Sequence, residues 1–228
     1  MKNIGNSLAH ISQLIQRAEK NFNRPPGSVK LIAVSKTKPV AAIRAAITCQ
    51  QTDFAENYVQ EAVDKITSIG HDGLTWHYIG PVQSNKTRLI AEHFDWVHSV
   101  DRIKIAKRLN DMRPSQMPPL DICIQVNTSS EQSKSGIDPD KLTALAEHCA
   151  LLPQIRLRGL MTLPAPCKDF DQQRLPFRQL REMLVELRSI IPALDTLSMG
   201  TTMDMEAAIA EGSTMVRIGS AIFGPRQT

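Results

Sequence analysis

The chain has 228 residues, 42% of them hydrophobic and 22% charged, which is typical of a soluble globular protein that buries its core without disulfides or metals. This length fits one large α/β barrel or two small domains. The formal net charge of +4 comes from Lys and Arg residues spread along the chain, a pattern that argues against a nucleic-acid-binding surface.

The first predicted element is a helix over residues 3–22. Apolar residues recur there at intervals of three and four, at Ile4, Leu8, Ile11, Ile15 and Ala18. That spacing predicts a helix with one buried face. The two prolines in the run that follows, at residues 24–28, end the helix because proline cannot continue its hydrogen-bond ladder.

Beyond this helix, apolar stretches of strand length alternate with stretches of helical pattern. The predicted strands are Lys30–Ser35, Asp53–Ala55, Leu74–Ile79, Trp96–Val100, Asp121–Val126, Arg156–Leu160, Leu194–Ser198 and Thr214–Ile218. The predicted helices cover residues 38–49, 57–68, 84–93, 101–112, 139–150, 171–190 and 203–211, and short helical turns are expected after the last strand.

Eight strands separated by helices require parallel pairing with right-handed crossovers, in either a closed barrel or an open doubly wound sheet. Eight repeats in about this length favour the barrel, and no GxGxxG or Walker-type loop favours a nucleotide-binding open sheet. We therefore predict a single-domain (β/α)8 TIM barrel over residues 1–228, with the helix of residues 3–22 preceding strand 1.

The first strand leads into a candidate functional lysine. Lys36 follows four apolar residues and Ser35, so it lies near the carboxyl end of a strand, where barrels gather functional groups. A lone lysine there is usually only exposed to solvent. However, a partly buried amine beside Lys38 would have its charged form disfavoured, and the neutral amine attacks aldehydes. Lys36 alone does not distinguish a Schiff base with a cofactor from one with a substrate, as in an aldolase.

The last two strands end in motifs suited to an anion. Leu197–Thr202 (LSMGTT) ends the seventh strand and Arg217–Ser220 (RIGS) ends the eighth, where barrels commonly bind phosphate. Glycines allow backbone N–H groups to approach an anion, and hydroxyls add donors. Each motif alone is as well explained by a tight turn. Together with a lysine on strand one, they indicate a phosphorylated ligand, and pyridoxal phosphate combines both requirements.

Seven segments with consistent spacing then cover nearly the whole chain: Leu31–Lys38 (LIAVSKTK), Phe54–Gln60 (FAENYVQ), Trp76–Lys86 (WHYIGPVQSNK), Lys134–Ile137 (KSGI), Arg158–Leu163 (RGLMTL), Leu197–Gly200 and Val216–Gly224 (VRIGSAIFG). In these segments the chain resembles the YggS/PROSC (PLPBP-type) pyridoxal phosphate homeostasis proteins. That family is itself similar to the barrel domain of alanine racemase, without the racemase's second, β-rich domain.

The resemblance implies that pyridoxal 5'-phosphate is held as a covalent aldimine, a Schiff base on Lys36. It implies that Arg217 faces the pyridine nitrogen. The implied cofactor-binding residues are Val34, Lys36, Asn57, His77, Thr201, Thr202, Arg217, Gly219 and Ser220. Of these, Thr202, Gly219 and Ser220 are expected to hold the phosphate, while Asn57 and His77 are expected beside the ring or the aldimine. Similar proteins commonly have Met-Ser where this chain has Thr201-Thr202, and a threonine hydroxyl replaces the serine donor.

Arg217 also bears on whether the protein is an enzyme. A protonated arginine cannot accept a proton from the pyridine ring, which leaves the cofactor a weaker electron sink. A racemase needs two bases, and the only tyrosines are Tyr58 and Tyr78. We therefore expect a non-enzymatic protein that buffers or delivers pyridoxal phosphate in vitamin B6 and amino-acid homeostasis, with no catalytic residue. A low-activity amino-acid racemase and a cofactor-free Schiff-base aldolase are the alternatives.

The remaining expectations concern the setting of the protein. The four cysteines show neither CxxC spacing nor a matched histidine cluster, so no disulfide or metal site is expected and a reducing cytoplasm is the natural compartment. Neither an apolar membrane-length stretch nor a charged-then-apolar leader is present. Pyridoxal phosphate is the expected partner, with apo enzymes that use it as transient recipients, and the protein is expected to be a monomer or weak dimer.

Two further segments carry weaker hypotheses. Lys134, in the polar stretch after the fifth strand, would receive or relay cofactor, although a polar loop is the favoured interpretation. Ser84 is expected to cap the helix after the third strand, and the basic residues up to Arg88 are expected to form a solvated face.

Overall fold

All eight predicted strands form, each within two residues of its predicted bounds. They are β1 (Lys30–Val34), β2 (Asp53–Glu56), β3 (Thr75–Tyr78), β4 (Trp96–Val100), β5 (Leu120–Gln125), β6 (Ile155–Met161), β7 (Thr196–Ser198) and β8 (Met215–Ile218). The computed structural model describes residues 3–129 and 135–225. In it each strand pairs in parallel with the next, and β8 pairs with β1. The predicted (β/α)8 TIM barrel is confirmed.

Helices alternate with the strands as the apolar periodicity predicts. They are α1 (Ile4–Asn21), α2 (Val40–Thr48), α3 (Val59–Ile69), α4 (Thr87–His93), α5 (Ile103–Met112), α6 (Leu142–Ala150), α7 (Phe170–Arg188), α8 (Met205–Ala210) and α9 (Ser220–Phe223). The helices predicted at 84–93 and 139–150 each open with one 3₁₀ turn. Ser84 is part of that turn and makes no capping bond, so the predicted cap is wrong.

The predicted N-terminal helix is also confirmed, and α1 packs against α2, α8 and α9. Its start is capped by Asn3, whose side-chain oxygen accepts a hydrogen bond from the Asn6 N–H at 3.1 Å. Near its other end, the buried Glu19 carboxylate accepts from the backbone N–H groups of Gly27 and Val29 at 3.1 and 2.9 Å. These bonds fix the turn that leads into β1.

Strand alternation divides the core into two layers. Seven buried hydrophobic side chains pack together inside the barrel: Ile32, Val34, Ala55, Trp96, Cys123, Met161 and Met215. The intervening residues, such as Phe54 and Trp76, face outward and pack in the larger layer beneath the helices. Because the side chains of one strand alternate between the layers, Lys36 continues the inward-facing series that includes Val34.

The structure also bears on the expectations about membrane spans, cysteines and the two polar segments. Across the described residues, the helices include none long and apolar enough to cross a membrane. All four cysteines are free thiols. In the Ser84–Arg88 segment, Arg88 is exposed and Lys86 half-buried. Lys134 lies outside the described residues.

Candidate functional site

A cavity of about 500 Å³ opens at the carboxyl ends of the strands. Eight of the nine predicted site residues line it: Val34, Lys36, Asn57, Thr201, Thr202, Arg217, Gly219 and Ser220. They come from the ends of β1, β2, β7 and β8, which are distant in sequence and adjacent around the barrel. The structure therefore brings together the lysine of the first strand and the glycine motifs of the last two.

Lys36 sits on a turn with a constrained backbone. The next residue, Thr37, has a φ of +61°, which is unusual for a β-branched residue. Its N–H donates to the Glu61 carboxylate at 2.6 Å, and this bond helps to hold the turn. Lys38, the other lysine of the lining, donates from Nζ to the Pro225 carbonyl at 2.5 Å.

A buried ionic group lies directly behind this turn, between the barrel and α3. We call it the Lys65 cluster; it consists of Ser35, Glu56, Glu61 and Lys65. The Lys65 ammonium donates to the Ser35 carbonyl and to Glu56 Oε1, both at 2.8 Å, and to Glu61 Oε1 at 2.5 Å. Burial raises the pKa of Glu56, while Lys65 and the Ser35 hydroxyl oppose that rise. Because the Lys65 ammonium binds the Ser35 carbonyl, the cluster holds the backbone immediately before Lys36 in place.

The two glycine motifs bring backbone close to neighbouring groups. A Cβ placed on Gly219 would lie 3.2 Å from the Val34 carbonyl oxygen, so only glycine allows this approach of β8 to β1 without a shift. Gly200 has a φ of +99°, and a Cβ there would lie 2.7 Å from Ala208 Cβ. Both glycines therefore allow a close approach of backbone to its neighbours, and Gly219 lines the cavity beside Ser220.

The two threonines of the seventh-strand motif differ in what they can offer a ligand. Thr201 donates from its N–H and its hydroxyl to Asp204 Oδ1, at 2.6 and 2.8 Å. Thr202 is exposed, and its hydroxyl makes no hydrogen bond with the described part of the chain. Thr202 is therefore the better candidate donor, and Thr201 mainly shapes the loop.

Arg217 forms one wall of the cavity although its side chain is almost entirely buried. Its Nη1 donates to both the carbonyl and the hydroxyl of Ser198 at 2.7 Å, and its Nη2 donates to the Thr162 carbonyl at 2.9 Å. Burial lowers the pKa of Arg217 to about 10, with the charge of Asp204 opposing the shift. The guanidinium therefore stays protonated at neutral pH. Its Nε–H has no acceptor among residues 3–129 and 135–225.

Asn57 brings an unmatched acceptor to the cavity. Its Oδ1 is buried and finds no hydrogen-bond donor among the described residues. A Cβ on Gly80 would lie 2.3 Å from the Asn57 carbonyl oxygen, so glycine is required where the ends of β2 and β3 meet. Tyr78 donates to that carbonyl at 3.4 Å from outside the lining, and burial raises its pKa to about 12. The Tyr78 hydroxyl therefore stays protonated at neutral pH.

His77 is the predicted site residue that the structure places elsewhere. It is fully buried inside the barrel, and its Nε2 lies 3.1 Å from Asp53 Oδ1 while its Nδ1 lies 2.9 Å from His98 Nε2. His77 does not line the cavity, whereas the other eight predicted residues do, and its contact with a bound ring stays a prediction.

Asp53 and His98 were not predicted as site residues, and Ser198 was named only within the seventh-strand motif. The available signal was strand alternation, since Asp53 and His98 lie two positions from the inward-facing Ala55 and Trp96. A polar residue at such a position must find a polar partner inside the barrel. Which residues pair across the barrel does not follow from alternation.

With this geometry described, the chain can be compared with known proteins. Residues 7–227 match the family of the alanine racemase N-terminal domain. A pyridoxal phosphate homeostasis protein of Escherichia coli (strain K12) is 53% identical, over 99% of this chain and 98% of its own length.

Solved structures extend this comparison. PipY of Synechococcus elongatus PCC7942 with PLP bound is 37% identical and covers 97% of this chain and 100% of its own, with a TM-score of 0.83. Alanine racemase from Corynebacterium glutamicum has a TM-score of 0.71 at 15% identity, over 98% of this chain and 62% of its own. The racemase likeness concerns the fold alone.

Proposed function

This chain belongs to the alanine racemase N-terminal domain family, and on that premise we propose that it binds pyridoxal phosphate at the barrel mouth. Its role is to help keep the supplies of this vitamin B6 form and of amino acids in balance, as the names of its relatives suggest. The observation that carries the proposal is that Lys36, Arg217 and Gly219 line one cavity at the carboxyl ends of the strands.

The residues present fit this cofactor. A cavity of about 500 Å³ falls in the range of small-molecule sites. The buried Asn57 Oδ1 and the Arg217 Nε–H both lack partners in the described chain, so a ligand with its own donor and acceptor groups would satisfy them. Thr202 and Gly219 line the same cavity, and a hydroxyl beside a glycine backbone suits a phosphate.

We further propose that the cofactor is held as a Schiff base on Lys36. Pyridoxal phosphate supplies an aldehyde, which condenses with a primary amine and releases one water molecule. Lys36 provides that amine from a strand end that the Lys65 cluster and the Thr37–Glu61 bond hold in place. The other lysine of the lining, Lys38, donates instead to the Pro225 carbonyl.

Arg217 also supports a role without robust catalysis. As the residue facing the pyridine nitrogen, a protonated guanidinium would donate a hydrogen bond and leave that nitrogen without a proton. This limits the stabilisation of a carbanion on the substrate. A low-activity amino-acid racemase is the second candidate, favoured by the racemase fold and by Lys36 as one base. In the described chain no tyrosine lines the cavity to serve as a second base.

Absorbance spectroscopy tests the binding proposal. Titration of the purified protein with pyridoxal phosphate should produce a band at roughly 420 nm that sodium borohydride removes, as lysine Schiff-base chemistry requires. The Lys36→Ala variant should lose this band, whereas the matched Lys38→Ala variant should keep it. Equal bands in the wild type and Lys36→Ala would refute the linkage, and no binding by the wild type would refute the function.

The racemase alternative needs a separate measurement. Incubation of the loaded protein with alanine in deuterated water should leave the α-proton in place over hours. Rapid exchange accompanied by racemisation would favour the enzyme.

Delivery of cofactor to apo enzymes that use it is the expected physiological step. Transfer to such an enzyme would be followed by the recovery of its activity.

A further inference from the structure

A continuous line of hydrogen bonds crosses the inside of the barrel from its lower end to the cavity. We call it the interior column; it consists of Asp53, His77, His98, Ser198 and Arg217. The successive heavy-atom distances are 3.1, 2.9, 2.7 and 2.7 Å. Each member lies on a different strand, from the first residue of β2 through β3, β4 and β7 to β8. Its middle members, His77, His98 and Ser198, do not line the cavity.

When both imidazoles are neutral, the Asp53 carboxylate at one end of the column fixes the direction of every bond in it. Arg217 can only donate, so Ser198 Oγ accepts from Nη1. At the other end, the Lys30 ammonium donates to Asp53 Oδ1 at 3.0 Å, and an ionised carboxylate can only accept. Burial raises the pKa of Asp53, but its bonds and charge interactions with His77 and Lys30 outweigh this and bring it to about 2. Asp53 is thus ionised at neutral pH.

The proton positions of both imidazoles then follow. The His77 Nε2–H must donate to Asp53, which leaves its Nδ1 as an acceptor for the His98 Nε2–H. The remaining His98 Nδ1 accepts from the Ser198 hydroxyl. All donors in the column therefore point from Arg217 toward Asp53, and both rings are neutral Nε2–H tautomers.

The surroundings of the rings also favour their neutral forms. Burial lowers the pKa of His77, with Asp53 opposing the shift. Burial lowers the pKa of His98 well below its ordinary value, and the charge of Arg217 lowers it further. The Trp96 ring packs against both imidazoles, with centroids 5.8 and 5.7 Å away. A proton added to His77 Nδ1 would face the His98 Nε2–H, and one added to His98 Nδ1 would face the Ser198 hydroxyl proton, so the bonds between these groups would have to reverse.

We propose that Asp53, His77, His98 and Ser198 are positioning residues that hold the Arg217 guanidinium in one orientation from beneath the cavity. The column ends on Nη1 and leaves Nε–H available to a ligand. It also links the buried guanidinium to a distant carboxylate without placing an anion beside the ligand. Its effect on bound pyridoxal phosphate rests on the proposed function, whereas its bonding pattern does not.

The bonding pattern is tested on the ligand-free protein by NMR of ¹⁵N-labelled histidine at neutral pH. Both His77 and His98 should be neutral, with the proton on Nε2. An Nδ1–H tautomer or an imidazolium at either residue would overturn the column. This measurement needs no cofactor, so its failure is distinct from a failure of the proposed function.

The positioning role is tested with two variants that each remove one buried hydroxyl. Both Ser198 and Thr162 have carbonyls that accept from Arg217, but only the Ser198 hydroxyl contacts it. Ser198→Ala should weaken pyridoxal phosphate binding about tenfold, as expected for one hydrogen bond to a charged group, and shift its absorption band. Thr162→Val should stay within about twofold of the wild type.

A Ser198→Ala protein that binds and absorbs like the wild type would overturn the positioning role. So would equal losses in the two variants, because these would indicate a merely structural effect. Thermal unfolding of the ligand-free variants verifies that each is folded. If Ser198→Ala does not fold, Ser198→Cys keeps a weak donor at this position and should give a smaller loss of affinity in the same direction.

Discussion

The Lys65 cluster and the interior column are both buried polar groups, but their charges are arranged in opposite ways. The Lys65 cluster, outside the barrel, places a cation within 2.8 Å of two carboxylates, so its opposite charges lie in direct contact. The interior column keeps its charges at its two ends, Asp53 and Arg217, and separates them with two neutral rings. The first arrangement fixes backbone, at Ser35, and the second fixes the direction of a side chain. The cluster should therefore matter most for stability and the column for the ligand.

The largest effect is expected from breaking the Lys65 cluster. Lys65→Met leaves Glu56 and Glu61 buried or half-buried without their cation, which should lower the free energy of unfolding by about 3–5 kcal/mol. Urea unfolding measures this loss. The matched control is Lys141→Met, because Lys141 also pairs with a carboxylate but is fully exposed. That control should be indistinguishable from the wild type, and equal losses in the two variants would contradict the account.

The loss of stability in Lys65→Met should depend on pH, and the pKa of Glu56 determines in which direction. The pKa of Glu56 is raised in the folded state, so folding favours its protonated form. Stability from this group is fully present below its unfolded pKa and is lost as pH rises through the raised value. Removal of Lys65 should raise that pKa further. The deficit of Lys65→Met should therefore shrink as the pH is lowered from 7 toward 4.5, and a constant deficit would argue against a buried Glu56.

A smaller effect in a lower pH window is expected for the column. The pKa of Asp53 falls from 3.8 to about 2 on folding, which corresponds to about 2 kcal/mol of stability present above the unfolded pKa. Asp53→Asn should lose this amount at neutral pH, and the difference from the wild type should vanish as pH falls from about 4 to 2. Chemical unfolding at a series of pH values separates this window from that of Glu56. A difference that persists at pH 2 would show that the charge of Asp53 is not its source.

The last prediction is that the fluorescence of Trp96 does not change with pH. The Trp96 ring contacts both column histidines, so a charge on either should alter its emission. In a Trp76→Phe background, Trp96 is the only tryptophan left. Its fluorescence should stay flat between pH 8 and 5.5 because both rings remain neutral. A titration centred near pH 6.5 would contradict the column and leave the Lys65 cluster unaffected.

Much of the fold was predictable, because it depends on local patterns. The β1 bounds follow from an apolar run, and the helix of residues 3–22 follows from its spacing. Lys36 and Gly219 could be placed in one site because the ends of parallel strands meet at one face of a barrel. The exception was Ser84, where a residue typical of a helix cap lies instead in a 3₁₀ turn.

The two buried polar groups could not be predicted in the same way. Lys65 lies in an amphipathic helix where a lysine normally indicates the solvent face, and only the packing of α3 against β2 buries it. The column depends on contacts between residues up to 100 positions apart, such as His98 and Ser198. Strand alternation shows that such residues face inward, whereas their partners depend on the stagger of the closed barrel.

The proposed function depends on Lys36 as the amine that holds the cofactor. To test this, the protein is loaded with pyridoxal phosphate, reduced with borohydride and digested, and the adduct is located by mass spectrometry. We expect one modified peptide with the cofactor on Lys36 and an unmodified Lys38. An adduct on Lys38, or none on any lysine of the cavity, would contradict it.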